Sequence, residues 1–183
     1  MTVIYMQKIK AGGIATVGIL SAMMVLSQVA FSFLPNIELV SLFVILFTLN
    51  FRRKTLYAIY IFALLEGLIY GFGLWWIMYL YVWTILYLIV RVFRHMTEPI
   101  AWAILSGIFG LSFGALCSIP YFFISGLGGG IAYFVSGIFF DIVHCIGNFA
   151  AALFLLKPLD TVITKLRVSY LMDDSKGEQI HIK

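Results

Sequence analysis

Apolar residues run along this chain in long unbroken stretches, and the breaks between stretches carry short clusters of lysine and arginine. The basic groups are Lys8 and Lys10; Arg52, Arg53 and Lys54; Arg91 and Arg94; and Lys157, Lys165, Arg167, Lys176 and Lys183. A helix needs roughly 20 residues to cross about 30 Å of hydrocarbon. The spacing predicts helices over about 10–33, 37–51, 55–72, 75–94, 99–124 and 131–157. Pro35 ends the first, and Asn36 and Glu38 lead the short second one. Residues 55–90 hold no Lys or Arg and would extend about 54 Å as one helix, so they fold back at Gly71 and Gly73. Thr97, Glu98 and Pro99 open the fifth helix, and residues 125–130 (SGLGGG) predict a flexible outer turn before the sixth. The polar tail after Lys157, with Asp173, Asp174 and Glu178, is read as a frayed end.

Two crossings between consecutive basic groups place all twelve Lys and Arg residues on one side. That side is the cytoplasm, because translocating basic loops is unfavourable. Both termini then lie there too. The prediction is an all-α membrane protein, one domain over residues 1–183, with six transmembrane helices. A barrel is excluded because the runs are continuously apolar instead of alternating.

Composition agrees with this reading. The chain is 63% hydrophobic and 11% charged, with mean hydropathy +1.06, whereas soluble domains carry about 25% charged residues. The net charge of +4 follows from the inward basic bias and does not call for a nucleic-acid partner. Cys117 and Cys145 both sit inside apolar runs and read as packing residues. Lys8 and Lys10 precede an apolar run as in a signal peptide. The run continues to Leu34 with no small-residue cleavage pattern, so it reads as a retained helix.

Within the apolar runs two acids stand out, Glu66 and Asp141. An ionisable group inside a span costs at least about 2.5–3.5 kcal/mol and is a functional hypothesis by default. Glu66 lies about 18 Å and Asp141 about 24 Å from the inner boundary at helical rise, so both fall in the outer half. Asp141, His144 and Asn148 follow i, i+3, i+7 and share one helix face, with small Gly137 and Ala151 beside them. Such a stripe either bonds neighbouring helices or lines a solvated pocket open to the outside. Aromatics crowd the same level: Tyr70, Phe72, Trp75, Trp76, Tyr79, Tyr81 and Trp83. They form an interfacial belt, the wall of that pocket, or both. Aromatic walls with carboxyl, imidazole and amide groups suit a small, flat, polar ring compound. The candidate substrate-binding residues are Glu66, Trp75, Trp76, Tyr79, Asp141, His144 and Asn148.

A different signal runs along the first helix. Ala11, Ala15, Gly18 and Ala22 form a small-residue stripe, and Gly107, Gly110 and Gly114 form another in the fifth. Stripes of this kind admit a second helix at close range, whether inside the molecule or on a partner subunit. The chain has no P-loop, HExxH or GxSxG motif and no internal inverted repeat. Asp141 and His144 with Glu66 make only a weak metal-ligand set, and neither a metal nor a cofactor is expected. An intramembrane enzyme using Asp141 and His144, and a membrane assembly subunit, are the competing classes.

Several segments resemble the substrate-binding S component of an energy-coupling factor (ECF) vitamin transporter. They are AGGIATVGILSA at 11–22, PNIELV at 35–40, LLEGLIYGFGLWWI at 64–77 and FFDIVHCIGNFAAALFLLKPL at 139–159. The resemblance spans nearly the whole chain, and the Asp-x-x-His-x-x-x-Asn segment before Lys-Pro-Leu is its most specific part. It implies a bacterial plasma-membrane subunit that captures a vitamin or precursor from outside. A transmembrane coupling subunit and two ATPases would supply energy, and the S component would topple to release substrate inward. The stripe at Ala11, Ala15, Gly18 and Ala22 would meet the coupling subunit. Glu66, Asp141, His144 and Asn148 favour a neutral or cationic nitrogen heterocycle of hydroxymethylpyrimidine or pyridoxine size. Thiamine and cobalamin stay open, and no basic residue lies on the outer half to favour an anion such as folate.

Overall fold

A computed structural model of the protein describes residues 11–34 and 36–180, with side chains over 12–34 and 36–166. Lys8, Lys10, Pro35 and Lys183 lie outside the described residues, as do the side chains of Ala11, Arg167 and Lys176. Six helices follow in order: α1 (Ala11–Ala30), α2 (Val40–Phe51), α3 (Arg53–Tyr70), α4 (Leu74–Val92), α5 (Pro99–Ile124) and α6 (Gly126–Ile180). No strand occurs among the described residues. Four stretches are long and apolar enough to cross a bilayer: Gly12–Ala30, Leu74–Val92, Pro99–Ile124 and Gly126–Leu166. The molecule is an all-α membrane protein.

The shortest helix is the centre of the bundle. Residues Val40 through Thr48 of α2 are all buried, and α2 packs against α1, α3, α4 and α6. A helix that is apolar all round has no face to give to water, which is why VSLFVILFT sits inside. Its 12 residues extend only about 18 Å, so it fills the bundle instead of presenting itself to lipid. Phe47, Ile45, Leu46, Phe62, Trp83 and Leu86 are the large side chains of this core.

The helix ends depart from the sequence expectation in ways that shape the site. Helix α1 stops at Ala30, before residue 33, and the chain continues through hydrogen-bonded turns in which Phe31 N–H donates to Ser27 O (3.1 Å) and Leu34 N–H to Phe31 O (2.9 Å). Asn36 takes a left-handed φ of 57°, a conformation Asn tolerates better than most residues. Helix α2 consequently begins at Val40 and not at residue 37, leaving Glu38 outside the helix. The Glu38 carboxylate accepts the Ser41 N–H at 2.9 Å, satisfying one of the donors that a helix start leaves open.

Between α2 and α3 the chain reverses in one residue, Arg52, at φ 51°. Gly71 at φ 87° ends α3, the usual role of glycine after a helix. Pro99 occupies the first turn of α5, where its missing N–H costs nothing. The turn expected over 125–130 contracts to the break at Ser125 and Gly126 (φ 69°), since residues 127–130 are already helical. The tail after Lys157, read as frayed, continues α6 to Ile180.

Helices α5 and α6 form the most extensive pair. The glycine row of α5 lies directly on the α6 backbone: a Cβ on Gly110 would stand 2.8 Å from the His144 carbonyl oxygen, and one on Gly107 would stand 3.4 Å from that of Cys145. The small-residue stripe of α5 is thus an internal packing face. That of α1 is not. Ala15, Gly18 and Ala22 are exposed, while Leu20, Ser21, Met24 and Ser27 face the bundle.

Candidate functional site

Where α1 ends and α2 has yet to begin, a cavity of about 180 Å³ opens, lined by Gln28, Asn36, Glu38, Tyr79, Trp83, Phe113 and His144 among others. The early stop of α1 creates it, because the turns over 31–34 and the left-handed Asn36 carry the chain around the opening instead of across it. Helix α4 contributes Tyr79 and Trp83, one turn apart; α5 contributes Phe113; α6 contributes His144. By the topology expected from the basic clusters, this end faces outside.

Its walls are aromatic and mutually braced. Tyr79 and Trp83 meet edge to face at 5.5 Å, Trp83 leans on Phe113 at 5.6 Å, and Phe113 meets the His144 ring at 4.9 Å. Trp75 stands edge-on to Tyr79 at 5.3 Å and Phe62 stacks on it at 6.0 Å. Edge-to-face ring contacts at these separations add rigidity beyond area burial.

The polar groups converge from four elements. His144 Nε2 lies 3.0 Å from Glu38 Oε1, with both residues at least nine-tenths buried. An ionised carboxylate only accepts, and with Glu38 ionised Nε2 is the donor. Gln28 Nε2 donates to the Tyr79 hydroxyl at 3.2 Å. One helical turn below His144, Asn148 Nδ2 donates to Ser41 Oγ at 3.0 Å. Glu38, Ser41, His144 and Asn148 therefore form a polar seam between α2 and α6. Two polar atoms of the cavity-lining residues remain buried without a partner: the His144 Nδ1 and the Trp83 indole N–H. Such orphans are costly.

Of the residues singled out in the sequence, the cavity gathers Tyr79 and His144 directly. Asn148 supports it from the seam, and Trp75 supports it through Tyr79. Trp76 turns elsewhere, its indole donating to the Ala63 carbonyl at 2.8 Å. Glu66 is buried within electrostatic reach of Tyr79, with Oε1 unpartnered, but it does not line the cavity. Asp141 faces α5, where Oδ1 accepts the Gly114 N–H at 2.9 Å. The stripe Asp141, His144, Asn148 thus divides, one member binding α5 and two facing α2. The set Glu66, Asp141 and His144 is not assembled as ligands: no group of three such side chains converges among the described residues.

Glu38 is the acid the sequence reading left at a helix start. It is 9% exposed and bound to His144, so it joins Glu66 and Asp141 as a buried acid, although it lies outside the helical runs. The available signal was a lone imidazole in the apolar run of α6. Gln28, Asn36 and Phe113 carried no distinguishing pattern.

A larger groove of about 560 Å³ between α4 and α5 is lined by residues such as Ile85, Ile89, Phe93, Leu105, Ile108 and Leu116. Its sole polar side chain, Ser112, is already bonded to the Ile108 carbonyl at 2.8 Å, so it offers no polar recognition. Compared with known protein families, curated proteins and solved structures, the chain has no match in any of the three.

Proposed function

We propose that the protein is the substrate-capture subunit of an ECF-type vitamin importer in the bacterial plasma membrane. It binds a small nitrogen heterocycle in the outer cavity and works with a coupling subunit and two ATPases. The observation that carries this reading is the aromatic cavity with the Glu38–His144 pair in its wall. Its size narrows the ligand. At about 180 Å³ it is smaller than the roughly 300–1,000 Å³ of drug-sized sites. One substituted ring of hydroxymethylpyrimidine or pyridoxine size suits it, whereas thiamine or cobalamin does not. Glu38 supplies a carboxyl group, His144 and Tyr79 supply polar edges, and Tyr79, Trp83 and Phe113 supply ring faces.

In this reading Glu38 and His144 recognise the ligand and catalyse nothing. A carboxylate–imidazole pair at 3.0 Å is also what general acid–base chemistry uses, so an intramembrane hydrolase is the second reading. Native mass spectrometry of the detergent-purified protein tests the first. The expected result is a retained compound of one-ring mass, displaced by added hydroxymethylpyrimidine or pyridoxine. Chemical turnover of either compound by the isolated protein would favour the enzyme, and no adduct with no displacement would remove the capture reading.

A further inference from the structure

At the opposite end of α2 from the cavity, a second pocket of about 330 Å³ is lined by Thr48, Leu49, Arg52, Arg91, Arg94 and His95. Three arginines and a histidine surround one opening, and no Asp or Glu among the described residues comes within 4 Å of any of them, the only such pair being Glu38–His144. Uncompensated arginines are ordinarily spread apart by mutual repulsion. Here three of them line one opening. Arg52 is the one-residue reversal between α2 and α3, and Arg91 is held by its own helix, Nη1 donating to the Tyr87 hydroxyl at 3.0 Å with the guanidinium 5.9 Å from that ring's centroid. Across the α2–α6 joint, Asp160 accepts from Asn50 Nδ2 at 2.6 Å.

A second observation comes from Thr48, which is 2% exposed and lines the pocket, yet its hydroxyl has no partner. In a helix interior a threonine hydroxyl can bond the carbonyl one turn back, and this one does not. Arginines lining one opening beside a spare hydroxyl suit phosphate oxygens, which guanidinium groups bind through bidentate charge-assisted bonds.

We propose that the pocket formed by Thr48, Arg52, Arg91, Arg94 and His95 binds a phosphate group at the basic end of the bundle. Two sources share that chemistry, the headgroup of an anionic phospholipid and free phosphate. The inference is independent of the transport reading, because it uses no residue of the outer cavity.

The test uses full-length protein in detergent and three probes: dioleoyl-phosphatidylglycerol, dioleoyl-phosphatidylcholine and inorganic phosphate. Native mass spectrometry with an equimolar lipid mixture should show phosphatidylglycerol retained over phosphatidylcholine by about tenfold or more. That preference should be lost in Arg52→Gln/Arg94→Gln, whose exposed side chains make no internal hydrogen bond or ion pair. It should weaken in Thr48→Val, which keeps the shape and removes only the hydroxyl. Saturable binding of inorganic phosphate by calorimetry, lost in the same variants and without a lipid preference, assigns the site to free phosphate. Lipid retention equal across wild type and variants, with no phosphate binding, overturns the proposal.

Discussion

Glu38 and His144 meet across 3.0 Å in a place from which water is nearly excluded, so each depends on the other. Breaking a buried pair by removing one partner is strongly destabilising, whereas an isosteric amide keeps a hydrogen-bonding group in position. Glu38→Gln is therefore the useful variant: its carbonyl still accepts the Ser41 N–H while the charge is gone. Losing a hydrogen bond to a charged group costs about 1.5–3 kcal/mol. Titration calorimetry with hydroxymethylpyrimidine and pyridoxine should show affinity falling ~10- to 150-fold in protein that remains monodisperse. Asp141→Asn should behave differently. Its carbonyl still accepts the Gly114 N–H, and it does not line the cavity, so affinity should stay near that of wild type. An equal loss in both variants would place Asp141 in the site after all. Glycines divide in the same manner. Gly110→Ala drives a methyl into the His144 carbonyl, 2.8 Å away, while Gly137→Ala meets nothing within 4 Å. Overpacking of this kind costs about 1–3 kcal/mol, so the thermal midpoint should drop for Gly110→Ala and not for Gly137→Ala. Matching midpoints would mean that α5 and α6 are not packed as closely as described.

Among the elements, α1 and α5 carry similar stripes of small residues, and their surroundings separate them. The α5 glycines press on α6, whereas Ala15, Gly18 and Ala22 are exposed and Gly18 has open space where a Cβ would stand. Enlarging the α1 stripe should thus leave the fold intact. Ala15→Trp is expected to bind hydroxymethylpyrimidine or pyridoxine as wild type does, because its bulk lies on the outward face of α1, away from Gln28 and the cavity. If the stripe meets a coupling subunit, co-purification with that subunit and uptake in cells should both collapse, since a tryptophan blocks close helix approach. Failure to recover a folded monomer would show that the stripe is an internal face. Unimpaired uptake would show that it faces only lipid.

For the whole molecule, if all six helices cross with their basic clusters in the cytoplasm, the α3–α4 turn and the α5–α6 break lie on one side of the bilayer, opposite Arg52, Arg91 and Arg94. Single cysteines at Phe72 and Ser125, with Cys117 and Cys145 replaced, should react with a membrane-impermeant maleimide in intact cells. Labelling only after permeabilisation would invert or break that arrangement. The helical class was legible because its cause is local: with no water in hydrocarbon, each long apolar run must satisfy its own backbone, and charge clusters punctuate the runs. The start of α5 at Pro99 was legible for the same reason, since proline fixes its own φ. His144 and Tyr79, which line the cavity, were legible as candidates because a lone imidazole and a ring-rich turn stand out against apolar neighbours. Other features were settled only in three dimensions. Asp141 and His144 share a face by counting, yet 100° of turn per residue spreads a three-residue spacing enough for α5 to claim one and α2 the other. Glu38 was hidden because its partner lies 106 positions away and because nothing local says that α1 stops at Ala30. The run of α2 reads like the other apolar runs, and only the packing of four neighbours around 12 residues makes it the centre of the bundle. Periodicity and hydropathy are properties of a segment, so the chain alone determined its helices and its preference for a membrane. Which faces meet is a property of pairs of segments, so only the tertiary structure decided where the cavity, the Glu38–His144 pair and the arginine pocket lie.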